Sequence, residues 1–298
     1  MIVSVSRRCD IPRFQFDWFM EQLNVGFVDV ANPFNAAQVR RVPLQPGSGS
    51  DAAEVLVFWT RDPRAILACT EELERWGFRY YVMVTVTGYP AVLEPNVLPT
   101  ETVCADMGCL AQKIGRQRVI WRYDPIFLSS ITDKDFHRRN FSALAQRLTS
   151  STRRVIISLY DEYRGAKRRI EALERAGVLR IPLAVDGERR PTGEGLSAGG
   201  KAPSPRATEP GIAALLTDMA AIANAAGMEI QSCAETENFE PMGIKAGACI
   251  DGELIKELWG IEIAGKDKHQ RPHCLCAQSV DIGRYGDCQA GCVYCYAR

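Results

Sequence analysis

With 298 residues, 46% of them hydrophobic and 24% charged, the chain is long enough for one large α/β domain or two small ones and too apolar to stay disordered overall. Lys plus Arg equal Asp plus Glu at 36 each, so no global field favours DNA, RNA or an anionic membrane, and any nucleic-acid contact has to be local. No apolar stretch approaches the ~20 residues needed to cross a bilayer, and Met1 to Arg8 lack the order of a signal peptide, so the expectation is a cytoplasmic protein with no membrane partner.

In chain order, short β-branched and aromatic runs alternate with amphipathic stretches. Strands are expected at 2–6, 27–31, 55–60, 80–87, 119–123, 155–159 and 228–233, with a late eighth at 279–282. Helices are expected at 16–23, 63–76, 101–114, 133–148, 166–176 and 211–226, Pro63 suiting a first helical position and Asp133 a cap. This alternation implies a parallel sheet, and the expected fold class is α/β: a TIM-like (β/α) barrel, closed or partial, with a Cys-rich C-terminal segment. Residues 1–230 read as the barrel body and 231–298 as the Cys-rich part completing the same domain. Within the body, residues 186–210 are rich in Gly, Pro, Ser and charge and cannot bury enough apolar surface to offset ordering; they read as a surface excursion, with a lid as the alternative.

Polar clusters recur at or just past the C-terminal ends of the expected strands: Arg7 to Asp10, Asn32-Pro33, Trp59 to Asp62, Arg122 to Pro125, Tyr160 to Glu162, and Glu235. In a β/α barrel that rim is where the active site forms. Any single member reads equally well as a helix cap or a surface ion pair, but recurrence after several strands favours a site. The catalytic candidates are therefore Arg7, Arg8, Asp10, Arg61, Arg122 and Asp124, the arginines being suited to a phosphate or carboxylate.

Eleven cysteines in a reducing compartment are more plausibly metal ligands or buried residues than disulfides. Cys9, Cys69, Cys104 and Cys109 are scattered and read as small buried hydrophobes; the last two, five apart on a helix, point about 140° away from each other. The other seven crowd into the final third. Cys288, Cys292 and Cys295 form Cys-x3-Cys-x2-Cys with Tyr294 before the last thiol, and three thiolates on one loop can hold three corners of a cubic iron–sulfur cluster while leaving the fourth iron open. Zinc would need a fourth ligand, Cys276 or His273, and unliganded thiols are the third alternative. Cys233, Cys249, Cys274 and Cys276 are the number needed for a fully ligated auxiliary cluster; the alternatives are incidental buried residues or one shared site. The basic, polar stretch 266–273 reads as a solvated loop or as a neutralising partner for a cluster or anion. His137, on an expected helix far from the cysteines, reads as a surface residue. With no Ser-His-Asp order, Gly-rich phosphate loop or His-rich motif, hydrolase and nucleotide-kinase readings have no support.

The run from Ser279 onward, ending Cys288-x3-Cys292-x-Tyr294-Cys295-Tyr296-Ala297, resembles the cluster loop of radical S-adenosylmethionine (SAM) enzymes, most closely the spore photoproduct lyase-like branch. Over nearly the whole chain, residues 4–12, 17–20, 32–35, 57–60, 119–126 and 279–283 resemble the DUF1848 family. The resemblance implies a 4Fe-4S cluster on Cys288, Cys292 and Cys295, one of two clusters if the auxiliary set also forms one, with SAM chelating the open iron and Tyr294 near the adenine or the cluster. It further implies a 5′-deoxyadenosyl radical acting on a small-molecule or nucleotide-like substrate, and an electron donor such as a flavodoxin or ferredoxin. Radical SAM enzymes carry this loop after the first barrel strand. Here it follows the last expected strand, so the resemblance implies a circularly permuted barrel with residues 279–282 beside the N-terminal strand. The competing class is a non-catalytic metal-binding protein with a structural zinc or a redox iron–sulfur centre. A third, a nucleic-acid-binding module, is disfavoured by the balanced charge.

Overall fold

The computed structural model describes residues 1–33, 35–49, 51–182, 209–263, 265–268 and 270–298. The chain runs β1 (Ile2–Val5), α1 (Ile11–Phe14), α2 (Phe16–Val25), β2 (Phe27–Asn32), β3 (Asn35–Pro43), β4 (Val55–Thr60), α3 (Arg64–Arg75), β5 (Tyr80–Thr85), α4 (Thr100–Ile114) and β6 (Val119–Ile126). It continues through α5 (Lys134–Leu148), β7 (Arg154–Leu159), α6 (Arg164–Arg175), α7 (Pro210–Ala225), β8 (Glu229–Cys233), β9 (Lys245–Gly247), α8 (Gly252–Trp259) and β10 (Ser279–Asp281). The excursion expected at 186–210 lies outside the described residues except at its end, where α7 begins.

Eight strands form one sheet in the order β10-β1-β4-β5-β6-β7-β8-β9, every neighbouring pair parallel. Parallel neighbours need long crossovers, which the helices between β4 and β8 provide. β10 lies beside β1 as the sequence implied, with Ile2 opposite Ser279, Val3 opposite Val280 and Ser4 opposite Asp281. The α/β class stands, but a closed barrel does not: β10 and β9 are the two edges of an open sheet. The strand expected at 27–31 also lies outside that sheet. It folds back antiparallel on β3, Phe27 opposite Pro43 and Val28 opposite Val42, in a hairpin whose second strand is almost wholly exposed.

Side-chain alternation divides the sheet into two faces. Val3, Leu56, Phe58, Val82, Trp121 and Ile157 point to one, where α2, α3, α4, α5 and α7 contribute residues such as Phe19, Ile66, Met107, Phe141 and Leu215. Ile2, Val57, Trp59, Tyr81, Met83 and Ile156 point to the other, which is covered by Leu254 and Ile255 of α8 together with Ile250, Cys274 and Cys276. Burial on both faces explains why β4 reads as an unbroken apolar run, with all six of its residues buried. The helices end as local chemistry dictates. Asp133 accepts from Phe136 N at 2.7 Å to start α5, and Asp251 accepts from Glu253 N at 2.9 Å and Leu254 N at 3.1 Å to start α8. No helix among the described residues is long and apolar enough to cross a membrane.

His137 is fully buried, which corrects its reading as a surface residue. It belongs to the helical stripe His137, Phe141, Leu144, Ala145 and Leu148 that faces the sheet. Its Nδ1 lies 2.8 Å from the Tyr123 hydroxyl and its Nε2 3.1 Å from the Phe127 carbonyl oxygen. Burial lowers its pKa to about 4 from the ordinary 6.5. The unfolded chain therefore binds the proton first, and the contribution of His137 to stability, complete above pH 6.5, is lost as the pH falls towards 4. Between pH 7 and pH 5 this histidine is expected to cost about 2 kcal/mol of stability. Urea unfolding at the two pH values checks it: His137→Gln should show that much less acid sensitivity than the wild type, whatever its stability at pH 7.

Candidate functional site

β10 delivers the last stretch of chain to the C-terminal ends of the strands. One carboxylate fixes the delivery: Asp281 accepts from Ser4 Oγ at 3.0 Å, Ser6 Oγ at 2.5 Å, Arg7 N at 2.8 Å and Gly283 N at 3.0 Å. Gly283 has to lack a side chain, because a Cβ there would sit 2.2 Å from Ser6 Oγ and 2.7 Å from Cys9 Sγ. The loop that follows is pinned along its length by tertiary bonds. Gln15 Nε2 donates to Asp287 at 3.0 Å, Asn96 Nδ2 to the Gln289 carbonyl at 2.8 Å, Val293 N to the Leu93 carbonyl at 2.9 Å, and Arg169 Nε to the Val293 carbonyl at 2.8 Å. Gly291 turns the loop at φ +78°, a conformation glycine adopts freely, with Pro95 close against it.

Tyr294, the aromatic residue of the cysteine motif, is held by a buried ion pair. Arg61 Nη1 lies 3.0 Å from Glu94 Oε1, and Arg61 Nη2 donates to the Tyr294 hydroxyl at 2.8 Å. That hydroxyl and Thr87 Oγ1 both donate to the same Glu94 oxygen. The ring packs edge-on to Tyr89 at 5.8 Å and tilted against Phe127 at 5.9 Å. Tyr294 thus anchors the loop from beneath, and Arg61 is committed to it.

A cavity of about 310 Å³ opens above these groups. Its wall brings together Cys288, Cys292 and Cys295, the second set Cys233, Cys249, Cys274 and Cys276, and the rim candidates Arg7, Arg8, Asp10, Arg61, Arg122 and Asp124. Each rim residue already has protein partners. Asp10 caps α1 through Arg13 N at 3.1 Å and reaches the end of β4 through Thr60 Oγ1 at 2.7 Å and Arg61 N at 2.8 Å. Burial raises its carboxyl to about 6 despite those bonds. Arg7 and Arg8 approach Asp281 at 3.6 and 4.0 Å. Arg122 pairs with Asp124, whose other oxygen accepts from Ser158, and its guanidinium lies 4.6 Å from the Trp59 ring centre. Three buried polar atoms of residues in this wall, Trp59 Nε1, Arg122 Nε and the Tyr160 hydroxyl, have no hydrogen-bond partner among the described residues.

The thiols are poised differently. Burial pushes Cys292 up to about 11 and raises Cys295, while Arg61 near both, and Arg169 near Cys295, pull towards the thiolate. Cys295 Sγ also accepts from Ala297 N at 3.3 Å. In the second set, Cys249 and Cys233 sulfurs stand 3.1 Å apart, and Ile250 N donates to Cys276 Sγ at 3.4 Å. Among the described residues, no group of three or more His, Cys, Asp or Glu side chains has the arrangement of a ready-made cage for a single ion.

Some expected members lie elsewhere. Asn32 and Pro33 line a separate cleft beside the hairpin, together with Gln38 and Arg40. Glu235 accepts from Leu159 N at 2.8 Å without lining the cavity. His273 is exposed, and His269 is outside the described residues. Cys9 is buried in the core as expected and also lines the cavity, as do Gln270, Arg271, Tyr163 and Tyr296, whereas of the other scattered cysteines expected to be buried Cys69 is half-buried and Cys109 is exposed. Glu94 was missed altogether: its segment follows β5, and the only cue was a lone carboxylate in an otherwise apolar loop.

The family model DUF1848, a domain of unknown function, matches residues 2–297, and the chain belongs to that family. No curated protein matches it.

Removing Glu94 would leave Arg61 charged and buried without its counter-ion. Glu94→Ala is expected to cost about 3–5 kcal/mol in urea unfolding and to speed hydrogen exchange at the amides of the cysteine loop. Unchanged exchange in that loop would show that the pair does not hold it.

Proposed function

We propose that this protein is an iron–sulfur enzyme of the radical SAM kind, built on a partial, circularly permuted β/α barrel, with a 4Fe-4S cluster on Cys288, Cys292 and Cys295. The observation that carries this reading is the strand order. β10, the strand that feeds the cysteine loop, is the outer neighbour of β1, so in space it is the first strand of the series β10-β1-β4-β5-β6-β7-β8. A radical SAM barrel also has its cluster loop after the spatially first strand. Permutation changes where the chain enters that series and leaves the spatial arrangement intact. The helices of the β4 to β8 crossovers that join the main core pack on one face of the sheet, as a barrel requires of its outer layer.

The donor set suits the group. Three thiols come from one loop with no fourth from the same loop, which leaves one iron for a small molecule. Ligation requires each thiol to lose its proton, and the positive charges of Arg61 and Arg169 favour that loss where burial resists it. When bound, cluster and SAM supply one-electron cleavage of a sulfonium and abstraction of a hydrogen atom from substrate. The protein's own contribution is positional. Arg61 and Glu94 keep Tyr294 and hence the loop in place. Arg7, Arg122 and Arg271 in the same wall suit a substrate that carries negative charge, a small molecule or a nucleotide-like one. A flavodoxin or ferredoxin fits the role of electron donor.

Anaerobically reconstituted protein is expected to carry about four irons on this loop and to release 5′-deoxyadenosine from SAM on reduction with dithionite. Cys292→Ala should lose both. Zinc in place of iron at these three thiols, or iron without any cleavage of SAM, would overturn the proposal in favour of a structural or electron-carrying centre.

A further inference from the structure

We propose that Tyr163, Tyr296 and Arg271 form a gate over the mouth of the cavity, closed by the ion pair between Arg271 and Asp161 and opened when an anionic small molecule takes Asp161's place on Arg271. Asp161 and Tyr163 lie between β7 and α6, Arg271 on the segment between α8 and β10, and Tyr296 near the end of the cysteine loop. Arg271 Nη1 stands 2.9 Å from Asp161 Oδ2, and Arg271 Nη2 donates to the Tyr163 hydroxyl. The Tyr163 ring meets the Tyr296 ring with centres 5.4 Å apart, and the Tyr296 hydroxyl donates to the Arg7 carbonyl at 2.6 Å. These contacts run from just past the end of β7 to just past the end of β1. Three strands, β4, β5 and β6, separate those two in the sheet. Side chains that join β7 to β1 therefore bridge the C-terminal ends of the strands between, where Thr60, Arg61, Thr85 and Arg122 line the same cavity.

Exposure places the bridge at the outer side of the cavity. Asp161, Tyr163, Arg271 and Tyr296 all line it, yet the Arg271 side chain is 42% exposed and Tyr296 46%, against 6% for Cys292 in the same wall. That exposure also makes the bridge a gate and not a strut. Water and salt compete for both partners of an exposed ion pair, which therefore holds weakly. The Arg61–Glu94 pair, buried on both sides, is the fixed counterpart deeper in the same wall. The chemistry of opening selects the ligand. A guanidinium can exchange one carboxylate for another, or for a phosphate, because each offers it the same paired acceptor oxygens. A neutral molecule offers no such exchange. An arriving anion replaces Asp161 on Arg271 and so releases the hold of that arginine on the end of β7. Access through the gate does not depend on what the cysteine loop binds, and its test needs no iron.

Thiol alkylation of the metal-free, reduced full chain, mapped by mass spectrometry, tests the gate. Cys233, Cys288 and Cys295 line the cavity and are half-buried, whereas Cys104 and Cys109 sit on α4 away from it, the first buried and the second exposed. Arg271→Gln and Asp161→Asn both break the pair. Each is expected to speed iodoacetamide labelling of the three cavity thiols roughly two- to fivefold, the range for loss of one exposed ion pair, with Cys104 and Cys109 unchanged. Charge then separates the two variants. Relative to iodoacetamide, anionic iodoacetate should label the cavity thiols faster in Asp161→Asn, which leaves Arg271 free, and slower in Arg271→Gln, which removes the cation. In the wild type, raised sodium chloride should speed iodoacetamide labelling of the cavity thiols without any substitution, because salt screens the pair. Cavity labelling unmoved by both substitutions and by salt would overturn the gate, as would an acceleration shared by Cys104, which reports loosening of the whole fold. An iodoacetate preference equal in the two variants would overturn the assignment of the ligand as an anion.

Discussion

The two ends of this chain are tied together by the carboxylate of Asp281. Its four hydrogen bonds to Ser4, Ser6, Arg7 and Gly283 fix the register of β10 on β1, and everything beyond Gly283 inherits its position from that register. A one-residue slip would reverse which face each side chain of β10 meets and would carry the cysteine loop away from the strand ends. The close approach of Gly283 to Ser6 and Cys9 leaves no room for such a slip.

From this joint the rim is assembled with little redundancy. Arg61 follows the last residue of β4 and also holds Tyr294; Asp10 caps α1 and also bonds the backbone of Arg61. Asp10 and Arg61, which look like independent candidates, are therefore links in one connected set that runs from the start of α1 past the end of β4 to the cysteine loop. Such a set is costly to break at any point, since each buried polar group relies on its neighbour for the hydrogen bonds it gave up in water.

Much of this was legible in the residues. The doubly buried strands announce themselves as apolar runs, the cysteine spacing marks the loop, and the polar residues after β1, β4 and β7 and within β6 do meet in one cavity. What could not be read has physical causes. β3 is a largely exposed strand that pairs with β2 outside the main sheet, so it carries little burial pattern to detect. β9 has three residues, and α8 opens on a glycine with only the Asp251 cap to betray it. Whether the sheet closes depends on whether its edge strands meet, a property of the whole assembly that no local pattern records. His137 was misread by weighing its chemistry above its place on a helical stripe, and Glu94 by the absence of any spacing that relates it to Arg61.

The pairing of β10 with β1 also bears on how the molecule comes into being. Of the strands in this sheet β1 leaves the ribosome first and its outer neighbour β10 last, so until β10 emerges β1 keeps an unpaired edge with apolar residues on both sides. Domains acquire structure as they are made, and long-range strand pairs form late because the intervening chain must be ordered or looped out first. The remaining strands can assemble while the cavity still lacks one wall. The last wall waits for β10 and its loop, and anything that enters the finished cavity does so in a sheet whose other strands have already emerged.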